Sequence, residues 1–214
     1  MEHDFWHRRW QKNQIGFHEG APNTLMTAHF ATLGVPAGGR VFVPLCGKSH
    51  DMAWLRAQGY QVVGAELSRL AVEQFFAEHG LTPKVTQDGL FERFEAEGVT
   101  ILAGDIFELG DTTLGPVDAV YDRAALVALP DPMRKRYAAY LPELTGRAPQ
   151  FLVTFIYDQS VIDGPPFSVE NKWVEAHYEP FYDLEIVETR DVEGGLKGVC
   201  PAKESAWLLK RLRE

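Results

Sequence analysis

The sequence predicts an α/β protein built on a doubly wound, mostly parallel sheet, and three observations carry that prediction. Short apolar runs alternate with helical patterns over residues 40–157, as parallel strands require, because each must be reached by a crossover connection. The helical segments are punctuated by capping and breaking residues, Ser68 before one of them and Gly59 and Gly80 after two. Two further apolar runs near the C-terminus flank a glycine-rich segment, the pattern of an antiparallel hairpin that closes the sheet.

Residues 1–38 stand apart from this alternation. They carry Phe5, Trp6, Trp10, Ile15, Phe17 and Phe30 among polar residues, interrupted by Gly16, Gly20, Pro22 and Pro36, and are read as short helices forming a lid. The core is expected to begin at Arg40. Residues 41–45 form its first strand, and residues 50–58 a helix that Gly59 stops. Residues 60–66 are the second strand, after which Ser68 caps a helix running through His79. Residues 100–103 and 117–121 supply the third and fourth strands, residues 132–144 a helix with proline in its first turn, and residues 150–157 the fifth strand. Residues 184–191 and 205–211 make the closing hairpin across Gly194, Gly195 and Gly198. One domain covers the chain, with 1–38 as cap and 40–214 as α/β core, since 214 residues require no second core.

Charge and cysteine usage exclude several function classes. The 30 acidic residues outnumber the 21 basic ones, and a net charge of −9 repels nucleic-acid phosphates and anionic lipid headgroups. Neither nucleic acid nor membrane is an expected partner, and no uncharged stretch is long enough to span a bilayer. Cys46 and Cys200 form no disulfide framework or metal knuckle, and the N-terminus is acidic where a secretory signal would be basic. A reducing, cytoplasmic setting is expected, and the acidic surface without a hydrophobic heptad predicts a monomer.

In an open α/β sheet the ligand lies beyond the carboxyl ends of the strands, which directs attention to Leu45-Cys46-Gly47, Glu66, Asp105-Ile106-Phe107 and Asp122-Arg123-Ala124. Gly47 permits a tight turn and a close ligand approach. Glu66 follows about 20 residues later, the spacing at which a carboxylate meets ribose hydroxyls; a plain turn and a solvated strand end are the competing reading. Gly47-Lys48-Ser49 matches the end of a phosphate-binding loop, but Phe42 stands where its first glycine belongs, and no G-x-G-x-x-G is present. The missing glycines favour a nucleoside ligand without phosphates. His3 and His7 share a helical face without a third metal ligand, and a solvated terminal helix is the expected outcome. Cys46 reads as small buried packing rather than a nucleophile. Trp6 and Trp10 also share a face, either stapling the cap to the core or closing over a cationic ligand. Arg123 either pairs with Asp122 or faces a substrate anion.

Together, Val-Phe-Val-Pro-Leu-Cys-Gly-Lys-Ser (41–49), Val-Val-Gly-Ala-Glu-Leu-Ser (62–68), Asp-Ile-Phe (105–107), Asp-Arg-Ala-Ala-Leu-Val-Ala-Leu (122–129) and Gly-Pro-Pro-Phe (164–167) resemble the thiopurine S-methyltransferase family, in particular its bacterial members. The resemblance runs from about Trp6 to the C-terminal strand. It implies a Rossmann-like class I methyltransferase with seven strands, the last antiparallel, that uses S-adenosyl-L-methionine, releases S-adenosyl-L-homocysteine and methylates the sulfur of a small aromatic or heterocyclic thiol. Cofactor contacts would fall on Trp10, Leu45, Glu66 at the ribose, Asp105 and Ile106 around the adenine, and Arg123 near the reacting end. Phe17 matches the aromatic residue beside the acceptor, and Arg123 would also be the substrate-binding and catalytic residue. No metal is implied. One departure concerns the loop before the last strand, where some family members carry a second arginine and this chain has only Lys197 and Lys203.

The chemistry implied is an in-line displacement in which opposite charges approach and cancel, so positioning and exclusion of water are the protein's main tasks. Arg123 is expected to bind the acceptor's anionic form, with Asp122 as its orienting partner. Two alternatives stand beside this reading: methylation of selenium or tellurium compounds, with metalloid detoxification as the main role, and a non-enzymatic S-adenosylmethionine sensor.

Overall fold

The computed structural model describes residues 3–16 and 18–212. The chain opens with α1 (His3–Gln11) and α2 (Thr24–His29), the latter capped by Asn23, whose side chain accepts from the Met26 N–H, and continued by a 3-10 turn (Phe30–Leu33). The core then alternates through β1 (Arg40–Pro44), α3 (His50–Ala57), β2 (Gln61–Glu66) and α4 (Arg69–Glu78). An antiparallel pair follows, β3 (Lys84–Asp88) and β4 (Phe91–Ala96), leading to β5 (Val99–Ala103), the short α5 (Asp111–Leu114) and β6 (Ala119–Arg123). The remainder is α6 (Asp131–Leu144), β7 (Gln150–Tyr157), α7 (Asn171–Tyr178), and the hairpin of β8 (Tyr182–Asp191) and β9 (Ala202–Arg211).

These strands form one sheet in the order β3-β4-β5-β2-β1-β6-β7-β9-β8. The five strands from β5 to β7 are parallel, and β9 runs antiparallel between β7 and β8. The seven expected strands are therefore the run from β5 to β8, with the last strand in the chain antiparallel. The sheet has nine because β3 and β4 extend it at one edge, where the sequence reading left a connection. Their patterning explains the omission: β3 is almost wholly exposed, and Phe91 and Phe94, the buried residues of β4, are three apart rather than alternating.

Alternation along the central strands builds a core on each face of the sheet. Val41 and Val43 join Val62, Tyr121 and Phe151 on one side, where Met26, Leu55 and Phe75 from α2, α3 and α4 cover them. Phe42, Val63, Val120 and Leu152 point to the other, against Tyr137 and Leu141 of α6 and Val174 of α7. Both faces are covered, so parallel strands with near-continuous apolar runs are stable here. The chain leaves β1 toward β2 on one side and later returns to β6 on the other, so the sheet's topological switch lies between β1 and β6.

One strand boundary has a consequence for the site. The fourth core strand spans Ala119–Arg123 rather than 117–121, because Asp118 is engaged at the start of β1: its N–H donates to the Arg40 carbonyl at 2.8 Å and its carboxylate accepts from the Arg40 N–H at 2.7 Å. Asp122 and Arg123 are thus consecutive residues of a strand and point to opposite faces. Asp122 accordingly does not orient Arg123. Its carboxylate is buried on the α6 side, accepting the Tyr137 hydroxyl at 2.7 Å and the Leu126 N–H at 3.1 Å.

Burial pushes the Asp122 carboxyl from the usual 3.8 up to about 6, against the pull of those hydrogen bonds. The native state therefore holds this proton more tightly than the unfolded chain does. Its stabilising contribution is complete below about 3.8 and is lost as pH rises through about 6. Asp122→Asn should flatten that part of the stability profile, read as the urea midpoint between pH 4 and pH 7. An unchanged slope would show that Asp122 does not carry it.

Candidate active site

A cavity of about 400 Å³ opens at the carboxyl ends of β1, β2, β5 and β6, beside the topological switch. Its floor is backbone under conformational demand. Leu45 has φ +46°, Gly47 has φ +53° and Ala124, directly after Arg123, has φ +70°. Positive φ is costly for the leucine and the alanine, by about 1–3 kcal/mol each, and such strain gathers where a ligand must meet the main chain. Gly47 has a second reason to lack a side chain: a Cβ there would stand 3.2 Å from the Trp10 ring. The helix α1 is thereby seated against the first loop of the core.

Glu66, the last residue of β2, is 6% exposed and lines the cavity. One carboxylate oxygen accepts the Gly47 N–H at 2.9 Å and the other the Ser68 N–H at 2.8 Å. Burial raises its pKa, while the N–H groups of Ser68, Gly47 and Leu67 act in the opposite direction. The two backbone bonds fix the carboxylate's plane and leave each oxygen capacity for one more donor. Asp105, beyond β5, caps a 3-10 turn (Ile106–Glu108) by accepting the Phe107 N–H at 2.9 Å, and its other oxygen lies 3.0 Å from His3 Nε2. His3 thus spans from α1 to the end of β5 while its side chain stays 57% exposed, as the expected solvated helix end requires. Ile106 is buried and lines the cavity beside Asp105.

The Arg123 side chain is 9% exposed. It forms an ion pair with Glu19 through Nη2, and its Nη1 lies 3.4 Å from Asp51 Oδ2. Asp51 is 1% exposed and accepts the Tyr121 hydroxyl at 2.8 Å and the Asn23 N–H at 2.7 Å. Burial opposes the charge of Arg123, but Tyr121, Asp51, Glu19 and Glu204 outweigh it and hold its pKa above the usual range. Arg123 Nε is buried and has no hydrogen-bond partner among the described residues. A donor in that condition is costly unless a ligand or water meets it.

Of the residues singled out from sequence, Trp10, Leu45, Glu66, Asp105, Ile106 and Arg123 all line this one cavity, and Trp6 joins them from the same face of α1. Phe17 lies outside the described residues. Lys48 and Ser49 take no part: Lys48 pairs with Glu78, and Ser49 caps α3 by accepting the Asp51 N–H. Cys46 is buried against Gly64, where a Cβ would stand 2.6 Å from its sulfur, and burial pushes its thiol pKa up, with the Glu66 charge acting in the same direction. Packing, rather than nucleophilic chemistry, is its environment. Among the described residues no group of three or more His, Cys, Asp or Glu side chains is placed to hold a metal ion, and no helix is long and apolar enough to cross a membrane.

Sequence reasoning missed Glu19 and Asp51, the two carboxylates that hold Arg123. Asp51 carried a signal as an acidic residue in the first turn of α3, although that position alone suggests only a favourable helix dipole. Glu19 lies in a connection, where no periodicity marks it. The outer wall, with Phe155, Pro166, Leu196 and Lys197, was also unassigned. Lys197, one of the two lysines noted where the second arginine is missing, reaches the cavity while its Nζ donates to the Pro165 carbonyl at 2.8 Å.

Comparison with solved structures places the fold. The S-adenosylmethionine-dependent methyltransferase from Anabaena variabilis aligns with a TM-score of 0.64 at 14% identity, covering 98% of this chain and 95% of that one. The Burkholderia thailandensis 1,6-didemethyltoxoflavin-N1-methyltransferase, solved with bound 1,6-didemethyltoxoflavin and S-adenosylhomocysteine, aligns with a TM-score of 0.64 at 16% identity, covering 97% and 87%. At the level of sequence, the thiopurine S-methyltransferase of Xanthobacter autotrophicus is 57% identical over 212 residues, 99% of this chain and 100% of that one. That of Gluconobacter oxydans is 50% identical over 203 residues, covering 95% and 92%. The family model for thiopurine S-methyltransferase matches residues 1–212. With that match over nearly its whole length, the chain belongs to the thiopurine S-methyltransferase family.

Proposed function

We propose that this protein transfers a methyl group from S-adenosylmethionine to the sulfur of a thiopurine or related small aromatic thiol, working as a cytoplasmic monomer without nucleic-acid or membrane partners. The observation that carries the reading is the convergence of Glu66, Asp105 and Arg123 from three strand ends on one cavity covered by the aromatic face of α1. Family membership supplies the reaction class.

The residues present fit the methyl donor. Glu66, its plane fixed by two backbone donors, would accept from the ribose hydroxyls. Asp105 and Ile106, which line the cavity, would border the adenine, and Leu45 and Trp10 would wall the path toward the reacting end. Bound S-adenosylmethionine supplies a methyl group on a sulfonium, open to in-line displacement by the acceptor's sulfur. Arg123, which lines the cavity, would meet the acceptor and stabilise its anionic form, which leaves no need for a separate base when the thiol arrives ionised. Trp6 and Trp10 exclude water, which would otherwise solvate the nucleophile.

Mass spectrometry of a reaction containing the purified protein, S-adenosylmethionine and 6-mercaptopurine tests the reading. The expected result is S-methylated product with an equal amount of S-adenosylhomocysteine. Absence of product in a preparation that binds S-adenosylmethionine would overturn the thiopurine as acceptor.

A further inference from the structure

Arg123 does not face its cavity as a bare cation. Asp51 and Glu19 both engage its guanidinium, so the local sum of these three groups is one negative charge, an unfavourable setting for a third anion. The two carboxylates differ in how firmly they are held. Asp51 is buried and tied to Tyr121 and Asn23, so its charge is a fixed part of the site. Glu19 sits on the connection between α1 and α2, its side chain 53% exposed, and lines the same cavity as Arg123. It is the partner that can leave at small cost.

We infer that Glu19 is a specificity-determining residue, an internal counterion that an anionic acceptor must displace from Arg123 and that an uncharged acceptor need not. The inference rests on the proposed methyl-transfer reading, in which the acceptor meets Arg123. Burial raises the Glu19 pKa while Arg123 lowers it, as befits a carboxylate held partly out of water beside a cation. Glu19 makes no bond to the acceptor. It sets how much of the guanidinium's charge the acceptor meets, and because it belongs to the cap segment it makes that charge depend on how the cap is seated.

The test compares wild type, Glu19→Gln and Glu19→Asp with two aromatic thiols, one carrying a carboxylate and one without, the latter assayed below its thiol pKa so that it arrives neutral. Glu19→Gln should lower KM for the carboxylated thiol by about two- to fivefold, the range expected for removing a partly exposed ion pair. KM for the uncharged thiol should change much less, and Glu19→Asp should return the carboxylated thiol toward wild-type behaviour. Calorimetric titration of the carboxylated thiol into protein saturated with S-adenosylhomocysteine reads the same difference without turnover. That arm separates the two failures. Absence of turnover with every thiol would count against methyl transfer, whereas equal binding of the anion by wild type and Glu19→Gln would overturn the counterion role. A KM that rises for both acceptors in Glu19→Gln would also overturn it, marking a structural contact only.

Discussion

Arg123→Ala should lower kcat/KM for a thiol acceptor by about 100- to 1,000-fold, the cost typical of removing one preorganised donor from a site of developing charge. Most of the loss should appear in kcat, and S-adenosylmethionine affinity should change far less. The environment of the residue supports this division. Its side chain is almost fully buried, its Nε has no partner among the described residues, and the strained Ala124 follows it in the chain. Asp51 would lose an ion pair but keep the Tyr121 hydroxyl and the Asn23 N–H, so the carboxylate left behind is still satisfied and the fold should survive. Arg123→Lys provides a second variant that keeps the charge but loses the planar fork. It should fall between wild type and alanine. Single-turnover rates beside calorimetry with S-adenosylhomocysteine make the separation, and an alanine variant with wild-type turnover across several thiols would remove Arg123 from the mechanism.

How much of this site was legible in the sequence depended on which residues lie at element ends. Leu45, Glu66, Asp105 and Ile106 follow or end apolar strands, so the rule that ligands collect beyond the carboxyl ends found them before any coordinates did. Arg123 was found by the same rule despite a boundary two residues out of place. That error was harmless for Arg123 and misleading for Asp122: once both belong to β6, alternation sends them to opposite faces, and the apparent Asp-Arg pair dissolves. Glu19 and Asp51 reach Arg123 from sequence separations of 104 and 72 residues, across tertiary contacts that no local pattern encodes. The same limit hid β3 and β4. An exposed edge pair needs no apolar periodicity, because only Phe91 and Phe94 of β4 have a core to meet. The closing hairpin was legible, since Trp207 and Leu209 enter one core while Ala206 and Leu208 enter the other, leaving a continuous apolar run in β9.

Glu66→Gln should raise the dissociation constant for S-adenosylhomocysteine by about 10- to 100-fold, the equivalent of losing one charge-assisted hydrogen bond. The substitution is nearly isosteric, so the argument turns on what each oxygen does. In the native site both oxygens accept backbone N–H groups, from Gly47 and from Ser68. A glutamine can satisfy only one of them. Its amide NH₂ must face the other N–H donor to donor, which loosens either the turn at Gly47 or the start of α4 at Ser68. Two losses therefore coincide: the ribose hydroxyls meet a weaker acceptor, and the backbone that shapes the cavity is less firmly held. Thermal unfolding without ligand separates them. A modest fall in Tm with the full loss of affinity assigns Glu66 to the ribose, whereas an unfolded variant would call for Glu66→Asp, which keeps the charge at shorter reach. Glu66→Gln binding S-adenosylhomocysteine as tightly as wild type would refute the ribose role and leave Glu66 as a brace between the first and second strand ends. Neighbouring Cys46 gives the reason to expect a sizeable effect. Burial, then the Glu66 charge, raises its thiol pKa, so Glu66 acts on its surroundings across a poorly solvated interior, where charge-assisted bonds are strong.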